Sequence, residues 1–257
     1  MRKSGARYRV ISAISVTVVL GLYIALSLSG AIHSAQFPSA QSLVQSFADL
    51  LTNGYSGTPF YQEVLASLAR ALAGFIAAVV VGVPFGLLIG VNKTADAIAH
   101  PFLSFFRPIP PIALIPLFIL YFGIGEVAKV GLIFLTAFWY MTLNAAAGVR
   151  GVPEDLVRAA GMLGLNRRQI MMRVVFPCAL PQIITGMRVS MALCWALVVA
   201  AELIAAQTGL GFMIMDATTF FRIPIVFIGV AVIGVIGLIL EASLGALERW
   251  LLHWQGK

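Results

Sequence analysis

VPEDLVRAAGMLGLNRRQIMMRVVFPCALP, residues 152–181, is the one long polar, cation-rich interruption in a chain that otherwise reads as lipid-soluble. Pro153 suits the first position of a helix, where its missing N–H wastes no hydrogen bond. Glu154 and Asp155 follow in the first turn, at the positive end of the helix dipole. Leu156, Ala159, Ala160 and Leu163 recur at i, i+3, i+4 and i+7, an apolar stripe with two small residues at its centre. Gly164 is placed to end this helix as a left-handed cap. Asn166, with Gln169 three residues on, can open a second helix through a capping box. Pro177 and Pro181 are expected to break that one. The stretch predicts helix, glycine elbow, helix: a rigid protruding hook with a slim face. A protein that merely sits in a bilayer has no need of one.

Composition sets the surroundings of the hook. At 60% hydrophobic and 11% charged, the 257 residues are too apolar for a soluble domain. A formal charge of +7 could signal nucleic acid, but that needs a basic patch on a folded domain. Here the cations lie between apolar segments, the pattern of the positive-inside rule. No nucleic-acid partner is expected. Cys178 and Cys194 are too few for a disulfide framework; Cys178 is expected at the cytoplasmic surface and Cys194 inside a helix, and both read as small buried thiols.

Taken in order, the chain divides into six apolar spans. Arg2, Lys3, Arg7 and Arg9 form a basic leader before a first span at 10–28, long enough at ~1.5 Å per residue to cross a ~30 Å core. A cleavable signal peptide is the alternative reading of that segment. A polar stretch follows, with a short interfacial helix expected near Ser39–Leu51. The second span, 63–91, carries Gly74, Ala78, Gly82, Gly86 and Gly90 at every fourth position. That ladder is a groove for another backbone. Pro84 is expected to kink the span. Arg70, near its outer end, either snorkels to the interface or meets solute.

A short cytoplasmic turn is expected at 92–100, then a third span, 101–122, broken by Pro108, Pro110, Pro111 and Pro116. Irregular backbone at membrane depth is tolerated only beside protein or water, so this span is the candidate lining of a pathway. Arg107 at the break could guide an anion, anchor the helix or neutralise an acid. The fourth span is 129–149. The fifth, 182–206, holds Glu202, either a functional carboxylate or one that pairs with a cation. A re-entrant or outer segment at 207–224 leads to the sixth span, 225–247. Lys and Arg concentrate on one side, which puts both termini and the hook in the cytoplasm.

The hook also carries a resemblance. Arg158-Ala159-Ala160, Gly164 and then Val174-x-Phe176-Pro177 match the spacing EAA-x3-G-x9-I-x-L-P, with Arg158 where the pattern has Glu. That loop marks the permease subunits of ABC importers. RPIPPIALIPLFILYFGIGE (107–126), ALPQIITGMRV (179–189) and VAAELIAAQTGLGFMI (199–214) resemble the nitrate, sulfonate and taurine permeases among them. The likeness runs from about Phe60 to the end. It implies an all-α polytopic fold of the type I importer permease kind. Residues 1–63 would hold the leader, first span and outer segment, and 64–257 the permease core with its coupling loop at 150–181. It further implies that Glu154, Asp155, Arg158, Ala159, Ala160, Leu163, Gly164, Arg167 and Pro177 dock on an ATPase subunit. Arg107, Pro108, Pro110, Pro111 and Glu202 are the candidate pathway residues.

No cofactor is expected in this chain, since ATP and Mg would be bound by the ATPase partner. One hook per chain against two clefts of an ATPase dimer predicts two permease copies, most simply a homodimer. A periplasmic or lipid-anchored binding protein would deliver solute, and lipid of the bacterial inner membrane would surround the spans. The expected cargo is a small anion such as taurine or another alkanesulfonate, nitrate or bicarbonate; an aromatic or thiamine-precursor solute is the alternative. No G-x4-G-K-[ST], H-E-x-x-H or G-x-S-x-G occurs, so an enzyme is not expected. A gradient-driven secondary transporter would show two matching halves with paired broken helices. Only one span here is broken.

Overall fold

The computed structural model describes residues 14, 15, 17, 18, 21–23, 25 and 37–253. Among them the fold is helical throughout apart from one isolated bridge between Tyr55 and Thr58. The helices are α1 (Ala40–Asn53), α2 (Phe60–Val91), α3 (Lys93–Phe106), α4 (Ile115–Phe122), α5 (Glu126–Arg150), α6 (Glu154–Met162), α7 (Arg167–Ala205), α8 (Leu210–Thr219) and α9 (Ile223–Leu251). Four of them, α2, α5, α7 and α9, are long and apolar enough to cross a membrane. A fifth crossing arises if α3 and the Pro111–Phe122 segment, bent by 88° at their break, make one span. The first span expected at 10–28 falls largely outside the described residues.

The chain forms two compact units, residues 1–61 with 213–231, and residues 62–212 with 232–257. In the first, the Ser39 side chain caps α1 by accepting from the Ser42 N–H at 3.1 Å. Tyr55 is buried and its hydroxyl donates to Asp216 at 2.6 Å, while the Arg222 guanidinium lies 5.7 Å from its ring centre. Burial, then Asp216, pushes the phenol above its usual range, so it remains a donor.

The second unit is built on the glycine ladder. A side chain at Gly74 would meet Ile133 at 2.6 Å, one at Gly82 Met141 at 3.0 Å, one at Gly86 Ala145 at 2.6 Å, and one at Gly90 Val149 at 2.5 Å. The positions advance together along both helices, so α2 and α5 run parallel in constant register. Helix α7 returns against α5: Gly148 faces Ala179 and Gln182, and Gly186 faces Asn144. Met141, Ala145, Val149, Val175, Ala179 and Ile183 form the buried core between them.

Two expectations about helix limits are corrected. Residues 92–100 are no turn: Asn92 accepts from the N–H groups of Thr94 and Ala95, and α3 starts there. Pro177 and Pro181 do not break α7. The five residues Met171–Val175 form a wide π turn just before Pro177, which opens the coil where the proline ring would strike a carbonyl and a hydrogen bond is missing. Cys194 is buried as expected; Cys178 is exposed, which fits a place at the surface and not a buried thiol.

Candidate functional site

Three groups of residues stand out in the larger unit. The hook follows its local signals closely. Helix α6 begins at Glu154 with Pro153 as its cap. It ends in a Schellman turn: the Gly164 N–H reaches the Gly161 carbonyl at 3.0 Å and the Leu165 N–H the Ala160 carbonyl at 3.2 Å. Gly164 has φ +81°, a conformation that favours glycine. Asn166 and Gln169 complete the capping box, each backbone N–H donating to the other's side chain at 2.9 Å.

The face of the hook differs from expectation at one position. Ala160 is only 6% exposed, whereas Leu156 and Ala159 are exposed, and Met162 and Leu163 are 84% and 80% exposed. A stripe at i, i+3, i+4 and i+7 is wide enough for one edge to turn inward, and Ala160 together with Val157 occupies that edge. The open face is Leu156, Ala159, Met162 and Leu163. Glu154, Asp155 and Arg167 are exposed around it, and Arg158 pairs with Glu154 one turn away at 2.6 Å. So exposed a pair adds little stability. Pro177 lies within α7, behind the π turn.

The second group is the break between α3 and α4. Arg107 ends α3 and is exposed; Pro108 and Pro110 lie in the irregular turn, and Pro111 opens a short 3-10 turn. Arg107 shares a small cavity with Leu135, Thr136, Trp139 and Tyr140, which places it level with the middle of α5.

The third group is a buried clamp at the end of the bundle away from the hook. Arg70 donates through Nε and Nη2 to both oxygens of Glu126, at 2.7 and 2.9 Å, and through Nη1 to Glu202 at 2.6 Å. It also donates to the carbonyl and the hydroxyl of Thr208, at 2.7 and 3.0 Å. Glu202, 1% exposed, accepts further bonds from Ser67 at 2.8 Å and from the Gly211 N–H at 2.9 Å. Glu63 takes the Gly209 N–H, and a Cβ on Gly209 would land on the Glu202 carboxylate. Lys129, buried, adds a bond to Glu126 at 2.9 Å. Every oxygen of Glu202 is therefore taken by protein donors. Arg70 neither snorkels nor reaches open space: the clamp ties α2, α5, α7 and the turn at 206–211 together.

Sequence reasoning missed four members of such clusters. Glu126 fell between the third and fourth expected spans and Lys129 at the edge of the fourth, although both lie in the first turn of α5. Arg188 on α7 and Glu241 on α9, the lone ionised residues inside the apolar stretches 182–206 and 225–247 besides Glu202, pair with each other. Ionisable groups within spans were the available signal.

Long apolar helices in parallel and antiparallel contact, with a capped hook at one end and a broken span beside them, define a polytopic membrane protein built to engage other subunits. The family model described as binding-protein-dependent transport system inner membrane component matches residues 82–253, and the chain belongs to that family. It is 42% identical over 204 residues to the taurine transport system permease protein of Escherichia coli (strain K12), covering 79% of this chain and 74% of that one. To the bicarbonate transport system permease protein of Synechococcus elongatus it is 35% identical over 194 residues, covering 75% and 70%. A solved methionine ABC transporter in an inward-facing conformation shares the fold, with TM-score 0.66 at 19% identity over 74% of this chain and 95% of that one. The chain is thus an ABC importer permease, a membrane-spanning transport subunit and not an enzyme; the ATPase is a separate subunit and a binding protein supplies the solute.

Proposed function

We propose that the chain lines the pathway for a small solute bearing an anionic group, such as taurine or another alkanesulfonate, nitrate or bicarbonate, with its hook seated on the ATPase in the cytoplasm. The observation that carries the coupling role is the pair Met162 and Leu163, two large apolar side chains bare on a rigid elbow. Apolar surface of that kind outside the lipid-soluble spans marks a contact site. Leu156 and Ala159 extend the seat, Glu154, Asp155, Arg158 and Arg167 form its rim, and Gly164, Ala160 and Pro177 support it from behind. ATP and Mg belong to the ATPase.

Topology supports this placement. The parallel α2 and α5 cross in the same sense and α7 in the opposite one, so the hook emerges at the basic end of the bundle. With a first span at 10–28 the crossings number six, and both termini are cytoplasmic. Residues 64–257 then form the permease core and 1–63 an added segment. Two chains, most simply identical, would match two ATPase copies.

Met162→Asp and Leu163→Asp should insert normally yet bind the ATPase roughly 30-fold more weakly, on the order of 2 kcal/mol. Co-purification and ATP-driven uptake at the wild-type level in both variants would remove the hook as the coupling element.

Two names support the cargo: relatives concerned with taurine and with bicarbonate. Within the chain, Arg107 is a cation at mid-depth beside a proline-broken backbone, with Pro108, Pro110 and Pro111 keeping the helix open. A cation there lowers the barrier for an anion. Glu202, enclosed by the clamp, supports the shape of the pathway from its outer end. Arg107→Gln should cut uptake several-fold while the ATPase still co-purifies, and Arg107→Lys should restore part of it. Uptake unchanged in Arg107→Gln would take this residue out of the pathway.

A further inference from the structure

From Ala71 to Val91 helix α2 is uncharged and apolar throughout, and Asn92 and Lys93 are the first polar residues after it. Gly90 packs on Val149 of α5, and the residue after Val149 is Arg150, the charge that ends α5. Both helices therefore leave the lipid-soluble stretch at one level, where hydrocarbon gives way to lipid phosphates. At that level a cavity of about 640 Å³ opens between the start of α3 and the hook. Ligand sites run from roughly 300 to 1,000 Å³, so this one is large enough to hold more than water.

Two cations line it: Lys93, from the first turn of α3, and Arg167, from the first turn of α7. Other cations at this end are neutralised, Arg150 by Asp96 and Arg158 by Glu154. Lys93 and Arg167 have no carboxylate partner among the described residues, and no acidic residue lines the cavity. Thr94 adds a hydroxyl, while Asn92 is occupied in capping α3. The remaining wall is apolar: Val91, Val157, Ile170, Met171 and Val175. Unpaired cations beside an apolar wall suit an amphiphile, with an anionic head and a hydrocarbon tail. The open face of the hook, Leu156, Ala159, Met162 and Leu163, contributes nothing to this lining, so a seated ATPase leaves the cavity free.

We propose that this cavity binds an anionic phospholipid, its phosphodiester between Lys93 and Arg167 and an acyl chain along the apolar wall. Basic pockets between membrane helices on the cytoplasmic side recognise such headgroups. Arginine offers phosphate oxygens a planar fork and lysine a point charge. Phosphatidylcholine carries the same phosphate, but its choline would meet the same two cations. Lys93 belongs to the helical body, whereas Val157 and Arg167 belong to the hook. One bound lipid therefore bridges the two and braces the hook from the side away from its open face. The inference goes beyond the transport function proposed above and rests on its cytoplasmic placement of the hook.

The test is lipid retention by the permease–ATPase complex, released from nanodiscs of equal phosphatidylglycerol and phosphatidylcholine into native mass spectrometry. The wild type should keep one phosphatidylglycerol per permease copy, favoured roughly thirty-fold over phosphatidylcholine. Lys93→Gln and Arg167→Gln should each cut that preference to about five-fold, and Lys93→Arg should keep it. Glycerol 1-phosphate in large excess should leave the lipid in place. Equal retention of the two lipids by the wild type, or an unchanged preference in both glutamine variants, overturns the site. Displacement by glycerol 1-phosphate overturns it as well, because the cavity would then take a free phosphate. Lipid kept by the permease alone but expelled by the ATPase would make the cavity part of that interface instead. Labelling of Lys93→Cys by an impermeant thiol reagent from the outer face is a separate failure: it would sink the cytoplasmic placement itself, whatever lipid is retained.

Discussion

Arg70→Met should be the most destabilising single substitution in the larger unit. Arg70 is 6% exposed and gives every guanidinium nitrogen to a partner across the chain: Glu126, Glu202 and Thr208. Without it Glu202, 1% exposed, keeps the Ser67 and Gly211 donors but loses its one cation among the described residues. Removing one partner of a buried pair costs about 3–5 kcal/mol, because a charge is left buried and uncompensated. The Glu126 arm adds less, since that side chain is 60% exposed and screened by water. The expected result is a large fall in thermal midpoint for the detergent-solubilised protein. Arg70→Met/Glu202→Gln should regain at least half of the loss, as the amide stays hydrogen-bonded without a charge to compensate. A double variant no more stable than Arg70→Met would show that the ion pair is not what holds α2, α5 and α7 at this end.

Gly86→Leu should come second, and by a different route. A Cβ there would lie 2.5 Å from the Thr142 carbonyl oxygen and 2.6 Å from Ala145 Cβ. Both obstacles belong to α5, one of them backbone, so no rotamer change relieves the clash and the helices must part. Overpacking of this kind costs about 1–3 kcal/mol, and the separation would spread to Gly82 and Gly90 through the shared register. Gly234→Ala is the control: nothing lies within 4 Å of a Cβ there, and a helical glycine to alanine change stabilises by up to about 1 kcal/mol. Equal midpoints for Gly86→Leu and the wild type would mean that the ladder is not a close contact.

The hook was almost wholly legible before any tertiary contact was known. Pro153, Gly164 and the Asn166–Gln169 pair act on backbone donors and dihedrals within a few residues, so their outcome hardly depends on the rest of the chain. The same holds for Ser39 at the start of α1 and for the broken run from Pro108 to Pro116. Ala160 was the exception. Its place in the stripe was readable, but whether that edge faces solvent depends on the return of residues 165–175 beside it.

Misplaced helix limits have a related cause. Pro177 and Pro181 looked like breakers because local rules count only the lost hydrogen bond and the ring clash, whereas packing of α7 against α5 holds the coil and the π turn absorbs the misfit. Residues 93–100 looked like a loop because they are polar, yet Asn92 supplies the cap that starts α3.

What the sequence alone determined is therefore the membrane character, the hook, the broken span and the existence of a small-residue groove on α2. Tertiary structure alone decided what fills that groove, and with it the rest. Once Gly74 to Gly90 lock α2 parallel to α5, Arg70 is brought to Glu126 and Glu202, 56 and 132 positions away in the chain. Arg188 likewise meets Glu241, 53 positions on, only because α7 and α9 lie side by side. A charged residue inside an apolar span announces that it needs a partner. Its sequence neighbours cannot say which one, because the choice is made by helix register, and register is a property of packed surfaces.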